Sequence, residues 1–211
     1  LGVFYVDNRF QNGIFSQNDL EFLSSIASSA GIAIDNARLY RIAVEKGRME
    51  RELQMARDVQ RHLIPPNTPQ LPGWEFAACW KPAHEVSGDF YDFIPMADDR
   101  LGVVVADVSD KGMPAAMFMA LSRSVIRSVV GQDDDLSREI GKVNQLVWRD
   151  SSEGAFITLF FAQFIASDNV IKYVNAGHNP PMVFHARDKK FEYLSRTGMA
   201  AGVEGDTVYQ Q

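Results

Sequence analysis

The spacing of apolar and polar positions changes along this chain, and each change marks a different kind of element. Gly2 to Val6 form an apolar, β-prone run that enters the turn-like Asp7-Asn8-Arg9, which predicts a strand leaving a sheet. Ser16, with Asp19 three residues later, resembles a capping box. No proline follows until after Leu63, and Gly31 and Gly47 are the only strong helix-weakening residues between, so the pattern predicts one long helix. Early in that helix Leu20, Leu23, Ile26, Ala27, Ala30 and Ile34 recur at the three-and-four spacing of a core-facing stripe. Further on, Leu39, Ile42, Met49, Leu53, Ala56 and Leu63 fall at a and d positions of one heptad frame, with Lys46 and Gln60 as polar exceptions. Two readings fit this stretch: a two-stranded coiled coil, or a connector whose charges from Glu45 to Glu52 keep it solvated. Pro65, Pro66 and Pro69 end the helix, since proline cannot continue the hydrogen-bond ladder.

From about Leu71 the pattern turns to short β-prone runs at Glu75–Trp80, Asp89–Ile94, Leu101–Ala106, Phe156–Ala166, Val170–Asn175, Pro181–His185 and Phe191–Leu194. Asp98-Asp99-Arg100 and Ser167-Asp168-Asn169 are tight-turn sequences that favour antiparallel hairpins. Two helical stretches, Pro114 to about Val130 and Leu136 to about Arg149, separate the early runs from the later ones. Helices grouped in this way predict an α+β sandwich with helices covering antiparallel sheets.

Composition narrows the function. With 211 residues, 46% of them hydrophobic, the chain can bury a sizeable core. A formal charge of -6 with no basic patch argues against a nucleic-acid partner. Cys79 is the single cysteine, which forbids an intrachain disulfide and fits a reducing, cytoplasmic setting. No signal peptide opens the sequence, and no apolar run approaches the ~20 residues that cross a bilayer. The chain begins at Leu1, already in a strand-like run, and is expected to be part of a longer protein.

The chemistry concentrates in two acidic turns, Ser87-Gly88-Asp89-Phe90-Tyr91-Asp92 and Ala106-Asp107-Val108-Ser109-Asp110-Lys111-Gly112. Asp107 ends the apolar run Val103–Ala106, where a carboxylate is costly unless paired or bound to a cation. Aspartates, backbone carbonyls and water suit hard ions such as Mg²⁺ or Mn²⁺, and no Cys/His cluster competes for zinc. The alternative is that these aspartates simply form turns. Gly112-Met113-Pro114 opens a helix next to the second turn, so that the helix either presents its free N–H groups to an anion or is merely capped there. His178 admits both a catalytic and a structural, loop-bracing role. His62 and His84 have no partner visible in the sequence.

From about Glu52 onward the sequence resembles the SpoIIE/RsbU family of bacterial PPM-type serine/threonine phosphatases. The resemblance rests on Glu52–Gln60 leading to Leu63 and Pro65, on Ser87–Asp92, on Ala106–Ala116, on Thr158-Leu159-Phe160, and on Tyr173–Pro181, which contains Asn-Ala-Gly-His-Asn-Pro-Pro. Residues 1–40 resemble the end of a GAF sensor domain: Leu1–Arg9, Phe15-Ser16, Asp19-Leu20 and Ala33–Tyr40.

The resemblance implies a PPM-type α-β-β-α sandwich at 71–211, preceded by a helical linker at 41–64 and the GAF tail at 1–40. It implies a two-ion Mg²⁺ or Mn²⁺ site with Asp89, Asp107 and the carbonyl of Val108 as ligands, acting on phosphoserine or phosphothreonine of a phosphorylated protein such as an anti-sigma-factor antagonist. It further implies a homodimer formed through the linker helix, with Glu52 to Leu63 as a switch. Asp110 and Ser87 stand where family members often have glycine. The Thr-Asp-Gly and paired-Asp segments that supply further ligands in the family do not occur among these residues, so a weak second metal site is expected here. The competing expectation is a non-enzymatic dimerisation or partner-switching module with an incomplete site.

Overall fold

The computed structural model describes residues 2–10, 13–151 and 154–211. The chain divides into two compact units, Leu1–Glu52 and Leu53–Gln211, and the boundary falls inside a single helix, α1 (Gln17–Leu63). The capping box forms as the sequence predicts. Ser16 N–H donates to Asp19 Oδ2 at 2.8 Å, and Asp19 N–H donates to Ser16 Oγ at 3.3 Å. Ser16 Oγ also donates to Asp19 Oδ2 at 2.6 Å, and this bond first, then the one from the Ser16 N–H, holds the Asp19 carboxyl below its ordinary value. The helix runs unbroken through both glycines. Gly2 to Val6 has no strand partner among the described residues; its Phe4, Tyr5 and Val6 line a cavity with Phe15, Leu20, Leu23 and Ala27.

The heptad stripe changes character at the unit boundary. In the first unit Leu39, Ile42 and Met49 are 63%, 54% and 61% exposed. In the second, Leu53, Ala56 and Leu63 are half-buried, and Gln60 and Ile64 are buried within their own unit. A heptad pattern records an apolar face but not what covers it, and from Leu53 onward this unit covers its own.

The second unit is built on a four-stranded antiparallel sheet in the order β1 (Phe90–Pro95), β2 (Arg100–Val108), β3 (Ile157–Ile165), β4 (Val170–Ala176). Asp98 and Asp99, both with φ near +55°, turn β1 into β2, and Asn169 at φ 52° does the same between β3 and β4. A separate hairpin pairs β5 (Met182–His185) with β6 (Lys190–Tyr193). The run Glu75–Trp80, expected as a strand, joins no ladder among the described residues; β-propensity needs a neighbouring strand to become a strand.

Register fixes the two faces of the sheet. Phe90, Asp92 and Ile94 share one face with Val104, Ala106, Val108, Leu159, Phe161 and Val174. That face carries α2 (Met113–Val129) and α3 (Leu136–Asp150), whose Met119, Ile126, Ile140, Val143 and Val147 complete the core. Asp135 caps α3 by accepting from Ser137 and Arg138 N–H groups. Asp92 lies on this covered face, 1% exposed, and meets two cations of α2. Arg127 binds it through Nε–Oδ2 at 2.6 Å and Nη2–Oδ1 at 2.8 Å, and Arg123 Nε lies 3.0 Å from Oδ2. No described helix is long and apolar enough to cross a membrane.

Candidate functional site

Asp89 and Asp92 are three residues apart, so the period of two sends them to opposite faces of the sheet. Asp92 is therefore consumed by Arg123 and Arg127, whereas Asp89 sits at the end of the other face. The β1–β2 register, continued one step beyond Phe90↔Ala106, places Asp89 directly across from Asp107. The β2–β3 register sets Thr158 opposite Asp107 on the far side. Asp107 and Thr158 thus stand side by side on β2 and β3, and Asp89, just before β1, reaches Asp107 from the other side.

This juxtaposition is electrostatically unfavourable by itself. The Asp107 carboxyl is pushed up to about 6, by burial first, then by the charge of Asp89 and by a hydrogen bond with it. No described residue places a cation in a salt bridge with either carboxylate. Both border a cavity of about 390 Å³ lined also by His84, Ser87, Gly88, Val108 and Gly112. Gly88 packs against Val108 so closely that a Cβ there would lie 3.0 Å from the Val108 carbonyl oxygen. A side chain at position 88 would crowd that oxygen. Two carboxylates and a carbonyl kept clear by a glycine are hard oxygen donors, and the set fits a divalent cation of the Mg²⁺ or Mn²⁺ type. The described residues bring together no group of three His, Cys, Asp or Glu side chains around one ion position.

The backbone around these donors is fixed by contacts the sequence reading left unexplained. Gln60, a polar exception in the heptad frame, is 4% exposed and clasps the backbone of Ser87: its Nε2 donates to the Ser87 carbonyl at 2.8 Å, and the Ser87 N–H donates to its Oε1 at 3.1 Å. Ser87 Oγ in turn accepts from Asp89 N–H at 3.0 Å. The serine that replaces the family's frequent glycine thus braces the turn that delivers Asp89. Asp110, the other departure, has φ 75°, a left-handed conformation that aspartate tolerates better than most residues. The start of α2 has no side-chain cap, and Lys111 and Gly112, which lead into it, line the same cavity. Gln60→Ala should unpair two buried backbone groups of Ser87, costing about 2–3 kcal/mol, read as a fall in the urea midpoint. An unchanged midpoint would show that the clasp contributes nothing to stability.

His178 is held by its own turn and by β3. Asn175, fully buried, accepts the His178 N–H at 2.8 Å, and Gly177, at φ 70°, packs so tightly that a Cβ would meet Ala200 N at 2.8 Å. The His178 ring nitrogen Nδ1 lies 2.8 Å from Thr158 Oγ1. His178 and Asp89 both line an apolar cavity of about 420 Å³ with Trp80, Tyr91 and Val105. His62 is tied to its own helix by a contact with the Asp58 carbonyl, and His84 lines the acidic cavity.

The family model described as stage II sporulation protein E (SpoIIE) matches residues 97–211. Protein IcfG of Synechocystis sp. is 33% identical over 193 residues, covering 79% of this chain and 30% of its own length. Phosphoserine phosphatase RsbU of Bacillus subtilis is 27% identical over 194 residues, covering 92% of this chain and 57% of its own. The chain therefore spans from under a third to little more than half of these relatives. Among solved structures, the SiaA-PP2C domain of Pseudomonas aeruginosa superposes with a TM-score of 0.61 at 20% identity, covering 79% of this chain and 67% of that one, which establishes the PPM-type α+β fold.

Proposed function

The chain belongs to the SpoIIE family, and on that footing we propose that the protein removes phosphate from phosphoserine or phosphothreonine on a regulatory protein, with Asp89, Asp107 and the Val108 carbonyl holding part of a Mg²⁺ or Mn²⁺ site. The observation that carries this reading is the pairing of Asp89 with Asp107 across the end of β1 and β2, beside the Val108 carbonyl that Gly88 leaves open. When bound, divalent ions of this kind lower the pKa of a coordinated water and offset charge at the phosphoryl group. The protein groups do the rest. The two carboxylates would supply the negative charge that holds the cations, and Ser87 and Gln60 hold the Asp89 turn in place.

The substrate proposed is a phosphorylated anti-sigma-factor antagonist of the STAS type, in keeping with the phosphoserine phosphatase RsbU among the relatives. Residues 1–40 are read as the tail of a GAF domain, 41–64 as the linker and 71–211 as the phosphatase region of a cytoplasmic protein. The exposed stripe Leu39, Ile42 and Met49 is the surface through which two copies would pair. The stripe from Leu53 onward is half-buried against its own unit, which favours pairing through the part before it.

The test is phosphate release by the full-length protein from a phosphoserine-bearing protein. Turnover that needs added Mn²⁺ and stops with EDTA is expected. Turnover unaffected by EDTA would contradict the metal-dependent reading, and no turnover with any phosphoprotein while the helix still dimerises would favour the non-enzymatic partner-switching module.

A further inference from the structure

We propose that Trp80 is a positioning residue for the cation site: its indole N–H holds the main chain of Asp89, so that the Asp89 carboxylate stays turned toward Asp107. The inference rests on the cation-site reading above.

The peptide of Asp89 needs such a hold. Pairing of β1 with β2 begins at Phe90↔Ala106, and β1 is an edge strand, so the sheet does not fix the residue before it. Side chains do so instead. Trp80 Nε1 donates to the Asp89 carbonyl at 2.8 Å, and the Asp89 N–H donates to Ser87 Oγ at 3.0 Å. With the planar peptide on each side of its Cα bonded in this way, Asp89 has little freedom in φ and ψ, and the direction of its Cα–Cβ bond is set. Asp89 and Asp107 repel each other when both are ionised, and a carboxylate on an unheld turn would swing out toward solvent.

The segment that brings Trp80 to this place is the strand-like run that joins no ladder. Phe93 and Phe164 lie on the sheet face turned away from α2 and α3, and aromatic rings pin the segment to them. Trp74 and Phe76 meet Phe164 with centroids 4.8 and 5.2 Å apart, and Phe76 meets Phe93 at 5.8 Å. The β-prone composition of Glu75–Trp80 thus supplies anchoring rings rather than a strand, and the anchored segment ends on the indole that binds Asp89.

Two tryptophans in this region separate packing from positioning. Trp74 packs on Phe164 with its ring N–H buried and without a hydrogen-bond partner among the described residues. Trp80, half-buried against the core, has its N–H on one main-chain carbonyl, that of a proposed cation ligand. Packing alone does not demand that bond. Removing a group that orients a metal ligand typically weakens metal binding by about 10–100-fold. The lower end applies to Trp80, because it grips the main chain of the ligand and Ser87 keeps its own hold.

The experiment is calorimetric titration of Mn²⁺ into the full-length protein and its Trp80→Phe, Trp80→His and Trp74→Phe variants, each with a urea denaturation curve. Phosphate release from a phosphoserine-bearing protein is then followed across a Mn²⁺ series. Trp80→Phe, which keeps an aromatic ring and loses the donor, should weaken Mn²⁺ binding about tenfold. Its phosphate release should need correspondingly more Mn²⁺ and return to within about twofold of the wild-type kcat at saturation, which a general loss of structure would not allow. Trp80→His, with a ring N–H on a shorter side chain, should weaken binding about threefold, and it carries the test if the phenylalanine variant does not fold. Trp74→Phe, which has no bonded donor to lose, should stay within about twofold of the wild-type affinity. Unchanged Mn²⁺ affinity in Trp80→Phe, equal losses in Trp80→Phe and Trp74→Phe, or a fall in kcat that Mn²⁺ does not restore would overturn the assignment. Wild-type protein that binds no Mn²⁺ would overturn the cation-site reading and this assignment with it.

Discussion

Asp107→Ala in the full-length protein should lower phosphoserine turnover by roughly a thousandfold, because it removes a carboxylate from the cation site and with it several kcal/mol of transition-state stabilisation. The fold should survive. Asp107 lies one residue from the end of β2, and its carboxyl is already raised in pKa by burial and by Asp89, so truncation relieves repulsion as it removes a ligand. Steady-state assays across a Mn²⁺ series, with a urea denaturation curve for each protein, separate the two effects. A variant that is inactive but as stable as the wild type is the expected pairing. Retained activity at every Mn²⁺ concentration would mean that Asp107 holds no functional ion.

Asp92→Ala should do the reverse and damage the fold first. Its carboxylate is 1% exposed and accepts three contacts from Arg127 and Arg123, and its Oδ1 also accepts the Phe93 N–H at 2.9 Å. Removing it strands the two guanidinium groups against the core. Breaking a buried pair in this way costs about 3–5 kcal/mol, and the lower end applies because Arg127 is 40% exposed and can recruit water. A fall of roughly 10 °C in melting temperature follows for a domain of this size. Asp92→Asn, which keeps the shape and loses the charge, should fall between. A loss under ~1 kcal/mol for Asp92→Ala would show that the pair contributes no more than a surface bridge. The two aspartates of one Gly-Asp-Phe-Tyr-Asp motif are thus expected to fail in opposite ways.

That division was only half legible in the sequence. The strand run after Ser87 and the apolar run before Asp107 were visible as patterns, and so were both helices of the covering layer. The turn chemistry of Asp98-Asp99 and of Asp168-Asn169 correctly implied hairpins. Cross-strand register was not visible, and it is register that brings Asp89 opposite Asp107 and sets Thr158 beside it. Parity along β1 could have separated Asp89 from Asp92, once the strand was granted, by asking which of the two shares a face with Phe90 and Ile94.

Gln60 shows a different gap. Its polarity at a heptad core position read as an exception, because periodicity cannot distinguish a face covered by a second chain from one covered by the same chain 27 residues further on. A buried amide that bonds both groups of one peptide leaves no trace in hydropathy. Glu75–Trp80 failed for the complementary reason: its composition is strand-like, but strand formation depends on a partner that local sequence does not specify. Ser87 and Asp110, which departed from the family pattern, became intelligible only from a side-chain hydrogen bond and a positive φ.

The most direct measurement is calorimetric titration of Mn²⁺ into the full-length protein and into its Asp89→Asn and Asp107→Asn variants, without substrate. The account predicts saturable binding to the wild type and a clear weakening in each variant, with folding unchanged. Equal Mn²⁺ affinity in all three proteins would contradict it, because the carboxylates that β1 and β2 bring face to face would then hold no ion.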